Sequence, residues 1–172
     1  MSKANCLLRK TLTATCVVFC ITTTEAIGQE TLYVDEVKVI TCATSASPMT
    51  CVGNEANHCQ RLHEDGFDGG TTQGISRCID QETLIWGEIL VKREMGLLKQ
   101  LSERDSTSFA QIVSRVESFK EAQDVWLAYQ DAECRLRYAL TQEGTIRFNT
   151  LSSCKLTLTA ARVAYLNELA SN

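Results

Sequence analysis

The sequence predicts an all-α protein: a three-helix up-down-up antiparallel bundle stapled by disulfides, with a loop-rich N-terminal extension. Three observations carry this. From Cys78 onward, apolar residues recur at three- and four-residue steps, the period of a helix with one buried face. Six cysteines (Cys42, Cys51, Cys59, Cys78, Cys134 and Cys154) follow an N-terminal segment with the order of a secretory signal. Aromatic residues make up 6% of the 172-residue chain, so the core consists of Leu, Val, Ile and Ala around two Trp anchors. A core that thin calls for covalent staples, each contributing about 2–4 kcal/mol by restricting the unfolded chain.

Residues 1–28 read as a signal peptide. Lys3, Arg9 and Lys10 form a basic start, an apolar stretch runs from Leu12 to about Ile21, and Ala26 and Gly28 are small residues suited to a cleavage site. Cleavage is expected after Gly28, with Ala26 as the alternative. The stretch is shorter than the roughly 20 apolar residues of a bilayer-spanning helix, so no stable membrane span is expected. Cys16 and Cys20 lack the preceding residues of a lipid-attachment site and read as apolar members of the signal. Removing these 28 residues leaves 14 basic and 20 acidic residues, a net charge near −6. That charge argues against nucleic acid, which is held by basic surface, and is compatible with a cationic protein partner.

Residues 29–58 form the loop-rich extension. Leu32, Val34, Val37 and Val39 with charged residues between them point to one short strand, and Ser45, Ser47 and Pro48 mark a turn. The glycine-rich run 64–74 reads as loop. Residues 59–172 then form the helical domain. Its first helix carries Ile79, Thr83, Trp86, Leu90, Leu97 and Leu101 on one stripe. After a polar break over 102–108, in which Asp105 or Ser106 can accept the free amides of a new helix, the second runs from about Thr107 to about Leu140. Its stripe is Phe109, Ile112, Val113, Val116, Phe119, Gln123, Trp126 and Ala132. Gly144 ends it, and Thr145 caps a third helix carrying Phe148, Leu151, Leu158, Tyr165 and Leu169.

Six cysteines permit fifteen complete pairings. Helix geometry selects Cys134 with Cys154, because the two lie at nearly equal depth, roughly 13 and 17 Å, below the reversal between the second and third helices. Cys59 with Cys78 closes the glycine-rich loop, and Cys42 with Cys51 remains. An oxidised exported chain offers few free thiolates. His58, Cys59 and His63 near Cys51 include no Cys-x-x-Cys or His-x-x-x-His pair, so no metal and no cofactor are expected.

The C-terminal half carries a specific pattern. Ala122-Gln123-Asp124-Val125-Trp126-Leu127-Ala128-Tyr129-Gln130-Asp131-Ala132-Glu133-Cys134 is followed by Glu143-Gly144-Thr145, then Cys154, Leu158-Thr159, Arg162 and Leu166. Upstream stand Cys59, Thr72, Cys78, Trp86, Leu90 and Leu97. This order resembles the LprI-like lysozyme inhibitor family of small exported bacterial domains, over roughly residues 59–169. Gly87, Leu90-Val91 and Glu94 stand where the family has an Asp, Leu-Asn and a Tyr. The resemblance implies an exported binding protein whose partner is a lysozyme. Many lysozymes are basic, so an acidic inhibitor would meet them quickly. The founding type is a lipoprotein, but without a lipid-attachment Cys its anchoring is not carried over.

Read from their own chemistry, Gln123, Trp126 and Arg162 form a structural motif: Trp126 anchors the core, Gln123 bonds a neighbouring helix, and Arg162 pairs with Asp131 or Glu133. Neither histidine lies near a nucleophile, and no Gly-x-Ser-x-Gly elbow or phosphate-binding glycine loop is present, so no catalytic site is expected. The alternative to an inhibitor is a structural or interaction protein of the cell envelope with no lysozyme role, in the periplasm or outside the cell.

Overall fold

The computed structural model describes residues 33–62, 68–106, 113–141 and 144–171. They are all-helical, with three disulfides. In chain order come α1 (Glu36–Ala43), a 3-10 turn (Pro48–Thr50), α2 (Asn54–Gln60), α3 (Thr72–Ser106), α4 (Arg115–Leu140) and α5 (Ile146–Ser171). The signal-like residues 1–28, with Cys16 and Cys20, lie outside the described residues, as do His63, Phe109 and Ile112.

Of the residues expected to form a strand, Leu32 lies outside the described residues, Val34 precedes a helix, and Val37 and Val39 are within it. Asp35 caps α1, its carboxylate accepting from the amides of Val37 at 3.0 Å and Lys38 at 3.2 Å. Val39, Cys42 and Ala43 then fall on one buried face at helical spacing, while Val37, counted toward the strand, is 71% exposed. The extension also contributes to the common core, since Val34, Val39, Ala43 and Ala56 pack with residues of α3 and α5. Two side chains from the long helices tie it down. Asn167 donates to the carbonyl of Ala43 at 3.0 Å, satisfying an acceptor at the C-terminal end of α1. Glu82, 1% exposed, accepts from the amides of Gly53 and Ala56 at 2.7 Å each and from the Trp86 indole at 3.1 Å. A carboxylate on α3 therefore caps α2, whose own cap residue Gly53 has no side chain to do so.

Helix boundaries differ from expectation in two places. α3 begins at Thr72, inside the run read as loop, and continues to Ser106 through most of the expected break. Gly74 makes this start possible: a Cβ there would collide with the Asp68 carbonyl. α4 begins at Arg115, not near Thr107, and Ser114 caps it by accepting from Glu117 N–H at 3.2 Å. Asp105, in the last turn of α3, accepts the Val116 amide at 3.2 Å and the Ser114 hydroxyl at 3.1 Å. It thus serves the new helix from the end of the old one.

The α3 stripe is buried through Ile79, Trp86, Leu90 and Leu97. On α4, Phe119, Gln123 and Cys134 are buried, Trp126 is half-buried and Ala132 is exposed; Val113, expected on the same stripe, lies ahead of the helix and is exposed. The α5 stripe is corrected. Phe148, Tyr165 and Leu169 are exposed, and the buried face is Asn149, Ser152, Leu156, Thr159, Ala160, Val163 and Leu166. Leu156, Val163 and Leu166 share this face with the smaller Ser152, Thr159 and Ala160.

The disulfides join Cys42 to Cys51, Cys59 to Cys78 and Cys134 to Cys154, with Cα separations of 6.0, 5.7 and 5.5 Å. The last links α4 to α5. The second holds α2 against the first turns of α3.

Candidate functional site

Gln123, Trp126 and Arg162 come together where α3, α4 and α5 meet, joined by Glu94. Gln123 faces the core because Phe119 lies one turn before it on the same side of α4. Its amide works in both directions: the NH2 group donates to the Glu94 carboxylate, and the carbonyl accepts from Arg162 Nε at 2.6 Å and from a terminal guanidinium nitrogen. The guanidinium lies 5.5 Å from the Trp126 ring centroid and 5.1 Å from that of Tyr165, within cation–π range. A neutral amide therefore bridges a carboxylate and a guanidinium between three helices.

Burial dominates the electrostatics of both ends. Desolvation raises the Glu94 carboxyl above its ordinary value, against the opposing effects of the Gln123 hydrogen bond and the Arg162 charge. Desolvation likewise holds Arg162 below its ordinary value, opposed by Tyr165 and Glu94. The acids expected to pair with Arg162 are engaged elsewhere, each by an arginine four residues on: Asp131 with Arg135 at 3.1 Å and Glu133 with Arg137 at 2.8 Å. Same-helix neighbours win because they meet without any tertiary constraint.

Trp126 differs from the core anchor Trp86, which is fully buried. One part of Trp126 packs on the core, and another lines a shallow depression of about 540 Å3 with Ser118, Glu121, Ala122, Val125 and Tyr129. A second groove, of about 470 Å3, lies between the first turns of α3 and α5. It has Phe148 and Leu151 among its lining, with Asp80 and Lys155 beside them. No group of His, Cys, Asp and Glu suited to a metal occurs among the described residues, and none of their helices is long and apolar enough to cross a membrane.

These features define a class, a small disulfide-stapled all-helical domain whose covalent links belong to an oxidising compartment. The family model described as lysozyme inhibitor LprI matches residues 65–166, which include α3, α4 and most of α5, and the chain belongs to that family. Neither the curated proteins nor the solved structures contain a match to the chain.

Proposed function

We propose that this chain is an exported binding protein, not an enzyme, that inhibits a lysozyme. The family match over 65–166 carries the reading. The acid excess of the chain supports it, because opposite charge favours encounter with a basic enzyme. In this reading residues 1–28 are a signal peptide cut after Gly28, residues 29–58 are an extension of the domain 59–172, and the protein works in the periplasm or outside the cell. The cluster of Gln123, Trp126 and Arg162 holds the scaffold and takes no part in chemistry.

The scaffold itself is read as an up-down-up bundle of α3, α4 and α5. Contacts between α3 and α4 pair Asp105 with Arg115 and Glu94 with Gln123, so one number falls as the other rises. Cys134 with Cys154 and Gln123 with Arg162 show the same opposition for α4 and α5. Thr72 with Thr145 and Ser76 with Asn149 rise together, as the two outer members of such a bundle should.

A turbidity assay of wall lysis by a basic lysozyme tests the function. Adding the purified exported protein is expected to slow clearing in proportion to its concentration, with no turnover. Clearing at the unchanged rate would leave the envelope-protein reading in its place. Mass spectrometry of the exported form is expected to find Gln29 as the first residue, and a chain still starting at Met1 or Ser2 would overturn the signal peptide.

A further inference from the structure

The lysozyme reading leaves open which surface makes the contact, and α4 offers one that the fold does not use. Ser118, Ala122, Val125, Tyr129, Ala132 and Leu136 recur at alternating four- and three-residue steps, which puts them on one flank of the helix. All six are exposed, with Val125 64%, Tyr129 52% and Leu136 52% accessible. The core side of α4 is separate, made by Phe119, Gln123 and Cys134. Beside the flank, half-buried Trp126 joins Val125 and Tyr129 in the depression of about 540 Å3.

The charges along this stretch are uneven. Glu117, Asp131 and Glu133 are each tied to a Lys or Arg on the same helix. Glu121 and Asp124 are exposed and pair with no base among the described residues. Glu121 and Asp124 thus leave two unbalanced carboxylates at the edge of the aromatic centre. Trp126 is also held in place from behind by the Arg162 guanidinium, so little side-chain freedom remains to be lost on binding. A Trp and a Tyr at the centre with charged groups at the rim match the composition of binding hot spots.

We propose that this flank of α4, centred on Val125, Trp126 and Tyr129 and edged by Glu121 and Asp124, is the surface that docks a basic lysozyme. The inference rests on the lysozyme reading above. Charge selects the occupant: the two unpaired carboxylates attract a cationic protein, whereas a second copy seated on the same flank would bring them against like charges. An anionic lipid surface is repelled for the same reason.

The test compares the exported wild-type protein with Tyr129→Ala, with the pair Glu121→Lys and Asp124→Lys, and with Leu84→Ala. Leu84 is a control on α3, 69% exposed. Each variant's helix content and melting are checked, and its binding to a basic animal lysozyme is measured by calorimetry alongside inhibition of wall lysis. Tyr129→Ala and the charge-reversed pair are each expected to weaken binding about tenfold or more, while Leu84→Ala binds as wild type. If wild type inhibits and the α4 variants inhibit equally well, the docking face is overturned and the inhibitor reading stands. If wild type binds without inhibiting and the α4 variants lose binding, the face stands and the inhibitor reading fails. If wild type does not bind at all, both fall. A wild-type dimer in sedimentation that Tyr129→Ala dissolves would make the occupant a second copy and overturn the proposal.

Discussion

Gln123 shows why a neutral residue is found at the meeting point of three helices. A second charge there would have left either Glu94 or Arg162 facing its own sign, whereas an amide donates to one and accepts from the other. The imbalance that remains lies in Glu94, whose carboxyl burial raises. A raised folded-state value means that the folded chain holds this proton more tightly than the unfolded chain does. Its stabilising contribution is complete below the ordinary glutamate value of about 4.3 and is lost as pH rises through the folded value. Glu94→Gln should therefore change the pH dependence of melting above the ordinary glutamate value of about 4.3, gaining on wild type as pH rises. Parallel melting curves for the two proteins would show that burial of Glu94 carries no such cost. The sequence shows that Gln123 bonds a neighbouring helix, because it lies on the stripe of Phe119. It does not identify Glu94 as the partner, since this position registers only as a departure from the family pattern. It misplaces the Arg162 contact too, because carboxylates near a hairpin look available until the arginine four residues on is counted.

At the scale of elements, α2 depends on a residue outside itself. Seven residues are too few to form a stable helix alone, and Gly53 cannot cap it. Glu82 supplies the missing acceptor from within the core, so Glu82→Ala leaves the buried Ala56 amide and the Trp86 indole without partners. Each unpaired buried donor costs about 1–3 kcal/mol, and the variant is expected to lose at least about 2 kcal/mol in urea unfolding. An unchanged midpoint would remove Glu82 from this role. The long helices are legible in sequence because period 3.6 persists over many turns in α3. α1 is not, because Val34, Val37 and Val39 resemble a strand when counted alone. Its true signal is Asp35 ahead of Val39, Cys42 and Ala43, a cap followed by a short face at helical spacing. α5 misleads differently: hydrophobicity marks Phe148, Tyr165 and Leu169, yet the face turned inward is the one that carries Leu156, Val163 and Leu166 with Asn149, Ser152, Thr159 and Ala160.

On the scale of the whole molecule, the division of labour is between a thin core and a charged surface. The core reaches into the N-terminal segment through Val34, Val39 and Ala56, a continuity that the sequence conceals because loops and short helices share its composition. The cysteine pairing is legible for a physical reason: each bridge joins neighbours in the chain, with separations of 9, 19 and 20 residues. The surface has a different consequence. With a formal net charge of −4 on the full sequence, attraction to a basic partner acts over distances that salt screens beyond about 8 Å at physiological ionic strength. Contacts of Val125, Trp126 and Tyr129, by contrast, form at van der Waals range and are hardly screened. Raising salt is therefore expected to slow association with a basic lysozyme while leaving dissociation nearly constant, and stopped-flow mixing over a salt series measures both. An association rate indifferent to salt would mean that the acid excess keeps the protein soluble without steering it. The α4 flank would then have to capture its partner through apolar contact alone.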